Sequence, residues 1–105
     1  MIHLTEENFA DAIEENELLI IDFWAEWCVP CKKFLPVLEM FDAEISDEGE
    51  IAVGKVNVDE MPDITATFEI DTIPAIVFVK NGEEVERLVG LQTKERLMAT
   101  VEQLR

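Results

Sequence analysis

The sequence predicts an α/β fold, with a mostly parallel central sheet covered by helices on both faces and an antiparallel hairpin at one edge. Three observations predict it. The run Leu18 to Trp24 is apolar throughout except for Asp22, the pattern of a central strand buried on both faces. Along the chain, strand-like runs alternate with segments whose apolar residues recur at helical spacing. Asn81-Gly82, set between two strand-like runs, is the strongest short hairpin signal present.

The elements follow in the order β-α-β-α-β-α-β-β-α, a mixed sheet once the hairpin is included. Ile2-His3-Leu4 reads as a short edge strand. Thr5 can cap a helix to about Glu15, with Glu6 and Glu7 in its first turn and Leu4 and Phe9 spaced as a hydrophobic staple. The central strand Leu18 to Trp24 comes next. From Val29 to Ser46, Phe34, Leu38, Phe41 and Ile45 mark one face of a long helix. Pro30 lies at its start, where proline is tolerated. Pro36 lies inside and is expected to kink it, because proline removes a backbone donor. Ile51 to Val58 alternates as a strand, and Asp59 to Phe68 reads as a short helix. Ala75 to Val79 and Val85 to Val89 are the hairpin strands, ended by Gly90. Thr93 can cap a last helix with Leu97, Val101 and Leu104 on one face.

At 105 residues, with 49% of them apolar, the chain has the size and composition of one domain, residues 1–105, with its own core. It shows no internal repeat, and no apolar run approaches the length of a membrane span. No N-terminal stretch joins a basic start to an apolar core segment, so a cytoplasmic location is expected. The net charge of −16 disfavours nucleic acid and anionic membrane surfaces as partners. It could steer the protein to partners with a basic rim, but solubility or adaptation to salt or heat is the favoured reading, because surface charge is cheap to vary.

The only two cysteines stand three apart in Trp27-Cys28-Val29-Pro30-Cys31, where the central strand stops and the long helix begins. A structural disulfide of a secreted protein would constrain the unfolded chain little at this ring size. In a reducing compartment so close a pair is catalytic or metal-binding. A helix N-terminus beneath Cys28 favours its thiolate, which makes Cys28 the candidate nucleophile and the more exposed sulfur. Cys31, one turn further in, is the candidate resolving thiol. Asp22 is flanked by apolar residues on both sides. Burial would raise its carboxyl pKa and make it a usable proton acceptor near neutral pH. A mononuclear zinc site needs about four ligands, and two cysteines with the distant His3 do not complete one within a single chain, so no metal is expected; a cluster bridging two chains is the one metal-binding reading left open.

At this point the chain resembles the thioredoxin family along nearly its whole length. The resemblance rests on Asp22-Phe23-Trp24-Ala25-Glu26-Trp27-Cys28-Val29-Pro30-Cys31-Lys32, Pro36, Lys55-Val56-Asn57-Val58-Asp59, Ile73-Pro74, Lys80-Asn81-Gly82 and Val89-Gly90. It implies a thioredoxin-like fold and a thiol–disulfide oxidoreductase that reduces target-protein disulfides. It implies no bound cofactor, and recycling by a thioredoxin reductase with electrons from NADPH or ferredoxin. It further implies a monomer with Lys55 near the buried Asp22, and a cis proline at Pro74 facing the cysteines. Lys55 could equally snorkel to the surface, and Pro74 could be a plain strand-start proline. Trp27, Val29, Ile73, Pro74 and Gly90 are the candidate target-binding residues, and Trp24, Pro30 and Pro36 the structural residues near the site.

Two positions depart from the family pattern. Val29 stands where glycine is usual between the cysteines, and Asp71 stands where a basic or small residue is common. Two other readings keep the same fold: a disulfide oxidase or isomerase, and a redox-silent interaction module built round Trp27.

Overall fold

The computed structural model describes residues 1–105. Nine elements follow one another: β1 (Ile2–His3), α1 (Phe9–Glu15), β2 (Leu18–Trp24), α2 (Val29–Ile45), β3 (Ile51–Asn57), α3 (Pro62–Thr67), β4 (Ala75–Lys80), β5 (Glu83–Val89) and α4 (Lys94–Leu104). This is the order expected from the sequence. The strands form one five-stranded sheet in the order β1-β3-β2-β4-β5, with β2 in the middle.

The sheet is more evenly mixed than the sequence suggested. The β1–β3 and β3–β2 pairs are parallel, and the β2–β4 and β4–β5 pairs are antiparallel. β4 starts at the end of the sheet where β3 finishes and runs back along β2.

Side-chain alternation along β2 divides the core in two. Leu18 and Ile20 pack with Phe34, Leu38, Phe41 and Ile45 of α2 and with Leu97 and Val101 of α4. Leu19, Ile21 and Phe23 point to the other face, with Ala12 and Ile13 of α1 and Ile64 of α3. This two-sided burial is why the run from 18 to 24 is apolar throughout. By the same alternation Asp22 belongs to the α2 side of the sheet.

Local chemistry sets the element ends. Thr5 and Asn8 form a reciprocal cap, the Asn8 N–H donating to Thr5 Oγ1 at 3.3 Å and the Thr5 N–H to Asn8 Oδ1 at 2.7 Å. Regular helix then begins at Phe9, later than the sequence suggested. Thr93 caps α4 by accepting from the Arg96 N–H at 3.0 Å. α2 continues through Pro36. Asn81 and Gly82 both have positive φ, 50° and 83°, the requirement of a two-residue hairpin turn. Gly54 lets β1 approach β3, since a Cβ there would lie 2.6 Å from Leu4 Cδ1.

Candidate functional site

The carboxyl ends of β2 and β3 and the start of β4 meet at one edge of the sheet. Each contributes a short connection there: Ala25–Cys28 after β2, Val58–Asp59 after β3 and Ile73–Pro74 before β4. Cys28 is the N-cap of α2, with an extended backbone that turns the chain off the strand. Pro30, in the first turn of α2, has no N–H to leave unsatisfied. Cys28 and Cys31 are joined as a disulfide with Cα atoms 5.3 Å apart. Cys28 Sγ also accepts the Cys31 backbone N–H at 3.2 Å, a contact that favours a thiolate at this position.

Exposure barely separates the two cysteines, at 5% for Cys28 and 4% for Cys31. Their surroundings do separate them. Cys28 Sγ lies 4.0 Å from the Ile73 carbonyl oxygen. Cys31 lines a cavity of about 40 Å³ together with Asp22, Trp24, Lys32, Leu35 and Lys55.

Asp22 is 3% exposed, and its Oδ1 is buried without a hydrogen-bond partner. Burial pushes its carboxyl up to about 7, while the charge of Lys55 acts in the opposite sense. The strand register sets Lys55 directly across from Asp22. The lysine is half-buried, with Nζ 5.3 Å from the centroid of the Trp24 ring, a cation–π distance. Trp24 itself packs against Ala25 and both cysteines.

The outer side of the disulfide is apolar. Trp27 is 68% exposed and Val29 60% exposed. The Ile73–Pro74 peptide is cis. The Ile73 N–H has no partner within the chain. The Pro74 carbonyl accepts the Gly90 N–H at 2.8 Å, which fixes Gly90, at φ 88°, beside the proline. Lysines 32 and 33 follow the pair and are exposed, and His3 of β1 lies 3.4 Å from Glu60.

Five residues of this region received no role from the sequence: Asn57, Val58, Asp59, Thr65 and Ile70. Asp59 Oδ2 accepts the Trp27 indole N–H at 2.9 Å and so orients the ring. Asn57 Oδ1 in turn accepts the Asp59 and Glu60 N–H groups, turning the chain at the end of β3. Val58 and Ile70 join Trp27, Thr65, Asp71 and Ile73 around a groove of about 180 Å³. These contacts join positions far apart in the chain, and no local pattern marks them. The one available signal was the parallel pairing of β2 with β3, which brings Asp59 to the level of the cysteine loop.

No group of three or more His, Cys, Asp or Glu side chains is arranged to hold a metal ion. No helix is long and apolar enough to cross a membrane.

Comparison with known proteins agrees with this geometry. The Thioredoxin family model matches residues 1–103. The thioredoxin of Alicyclobacillus acidocaldarius is 44% identical over 96 residues, covering 91% of this chain and 90% of that protein. The thioredoxin of Chlamydia caviae is 42% identical over 97 residues, covering 92% and 91%. The structure of a mutant thioredoxin from Halobacterium salinarum NRC-1 superposes with a TM-score of 0.84 at 29% identity, covering 98% of this chain and 88% of that one. The chain belongs to the thioredoxin family of thiol–disulfide oxidoreductases.

Proposed function

We propose that this member of the thioredoxin family is a reductant of protein disulfides, acting as one domain over residues 1–105. The observation that carries this reading is the asymmetry of the cysteine pair. Cys28 faces Ile73, whose unpaired N–H is free to meet an extended target chain. Cys31 faces the buried, unpaired Asp22.

In the reduced protein, the start of α2 and the Cys31 N–H stabilise the Cys28 thiolate. That thiolate attacks one sulfur of the target disulfide. A mixed disulfide forms, and the other target sulfur leaves as a thiolate and takes up a proton. Cys31 then gives its proton to the Asp22 carboxylate and attacks Cys28 Sγ. The second target sulfur leaves and is protonated in turn. The target gains two electrons and two protons, and the Cys28–Cys31 disulfide is left behind.

With its pKa near 7, Asp22 is about half carboxylate at neutral pH, able both to accept and to release the proton. The adjoining cavity, about 40 Å³, is large enough to admit water beside Asp22 and Cys31, above the roughly 10–15 Å³ that a water needs. Lys55 keeps the carboxyl from rising further. Trp27, Val29, Ile73, Pro74 and Gly90 hold the target chain, while Trp24, Pro30 and Pro36 shape the loop and helix beneath it. A thioredoxin reductase recycles the disulfide with electrons from NADPH or ferredoxin, and the chain needs no bound cofactor. We place it in the cytoplasm as a monomer. Its charge of −16 turns it away from nucleic acid and anionic membranes.

The test is trapping with single-cysteine variants. Reduced Cys31→Ser incubated with insulin should accumulate a covalent mixed disulfide, visible by mass spectrometry, and Cys28→Ser should give none. Trapping by Cys28→Ser alone would reverse the assigned roles. Trapping by neither would leave a redox-silent interaction module.

A further inference from the structure

The groove beside the disulfide combines two kinds of wall. Trp27, Val58, Ile70 and Ile73 make it apolar, and Asp71 adds a carboxylate. At about 180 Å³ it is well below the ~300–1,000 Å³ of a pocket for a drug-sized molecule, and suits one long side chain. Ile73 links it to the cysteines, since its carbonyl oxygen lies 4.0 Å from Cys28 Sγ. A side chain in the groove would therefore belong to a residue close to the attacked cysteine.

The one charged side chain that lines the groove is a carboxylate, Asp71. Asp71 is exposed and enters no ion pair within the chain. Asp59 also enters no ion pair and is fixed against the edge of the Trp27 indole. Arg87 acts on Asp71 through space, but its guanidinium is already bound to Glu84 and to the Phe68 and Glu69 carbonyls. An apolar wall, an aromatic face held in place and an unpaired carboxylate match the stem and head of a lysine or arginine side chain.

We propose that this groove is a charge-selective subsite, with Asp71 favouring target disulfides that carry a lysine or arginine next to the attacked cysteine. The proposal rests on the reductant reading and names the substrate class for it. The stem of the basic residue lies on Ile70, Ile73 and Trp27. Its head pairs with Asp71 while the target backbone runs past Ile73.

The test uses short peptides with one disulfide, differing only in a Lys, Gln or Glu beside the attacked cysteine. Reduced protein is mixed with each, and the second-order rate is followed by tryptophan fluorescence. The Lys peptide should react faster than the Glu peptide, and the ratio should fall as salt rises from about 0.01 to about 1 M. Asp71→Asn should shrink that ratio by roughly 2- to 5-fold, the range of an exposed ion pair, and Asp71→Lys should reverse it. Glu14→Gln removes the same charge at the opposite end of the sheet, near the Asn81-Gly82 turn, and should leave the ratio as it is. Equal rates for Lys and Glu peptides would overturn the proposal. So would an equal effect of Glu14→Gln, which would assign the selectivity to net charge. If none of the three peptides is reduced, the reductant reading itself fails.

Discussion

Asp22→Asn is the most informative single substitution, because the buried carboxyl makes the protein's stability depend on pH in one definite sense. The pKa of Asp22 in the folded protein is raised from its ordinary value of 3.8 to about 7. Between those limits the folded chain holds a proton that the unfolded chain has released. Stability from this group is therefore greatest below about pH 4 and is lost as pH rises toward 7. Each tenfold change in the proton equilibrium is worth about 1.4 kcal/mol, so the full loss is roughly 4 kcal/mol. That is a large share of the ~5–15 kcal/mol by which domains of this size are stable. Asparagine keeps the shape and removes the charge. Urea unfolding of the oxidised protein should find the variant gaining on wild type by about 2 kcal/mol near pH 5.5 and roughly 4 kcal/mol at about pH 8, relative to their difference at about pH 4. A difference that stays flat across that range would show that the Asp22 pKa is not raised by folding. It would mean that the carboxylate is solvated or fully paired in the folded protein.

Two further outcomes follow from the same geometry. Lys55→Gln removes the one charge that lowers the Asp22 pKa, so the Asp22 carboxyl followed by NMR should titrate above its wild-type midpoint; an unchanged midpoint would mean that the register pairing carries no electrostatic coupling. Gly54→Ala places a methyl 2.6 Å from Leu4 Cδ1, and the displaced Leu4 should cost about 1–3 kcal/mol in denaturant unfolding; a neutral result would show that the Leu4 side chain re-packs without cost.

Much of this arrangement was legible in the sequence because the signals were local. The apolar run of β2, the helical spacing of Phe34, Leu38, Phe41 and Ile45, and the Asn81-Gly82 turn each depend on residues close together in the chain. Strand direction was harder. Periodicity says which face a residue takes and nothing of which way the strand runs, so the antiparallel β2–β4 pair emerged only from the observed strand pairing. The first turn before α1 is a similar case, since Thr5 and Asn8 cap each other before regular helix starts at Phe9.

The site divides along the same line. The cysteine pair and Asp22 stand out by spacing and by context. The register of Lys55 against Asp22, the Asp59 bond to Trp27 and the groove wall of Val58 and Ile70 are products of strand pairing and packing. The cis peptide before Pro74 was implied by family resemblance, since the dipeptide Ile-Pro permits either isomer. The sequence anticipated that Asp71 is a departure from family pattern. Its position in the groove, unpaired beside Trp27, required the fold.

The central claim is that the Cys28–Cys31 pair gives electrons to target disulfides, and the reduction potential of that pair tests it most directly. Equilibration in defined thiol buffers, followed by Trp24 and Trp27 fluorescence, measures it. A protein reductant should give a value near the roughly −270 mV of thioredoxin. A value in the range of about −180 to −120 mV, typical of oxidising members of this fold, would mean that the pair gives its disulfide away, and would contradict the reductant reading.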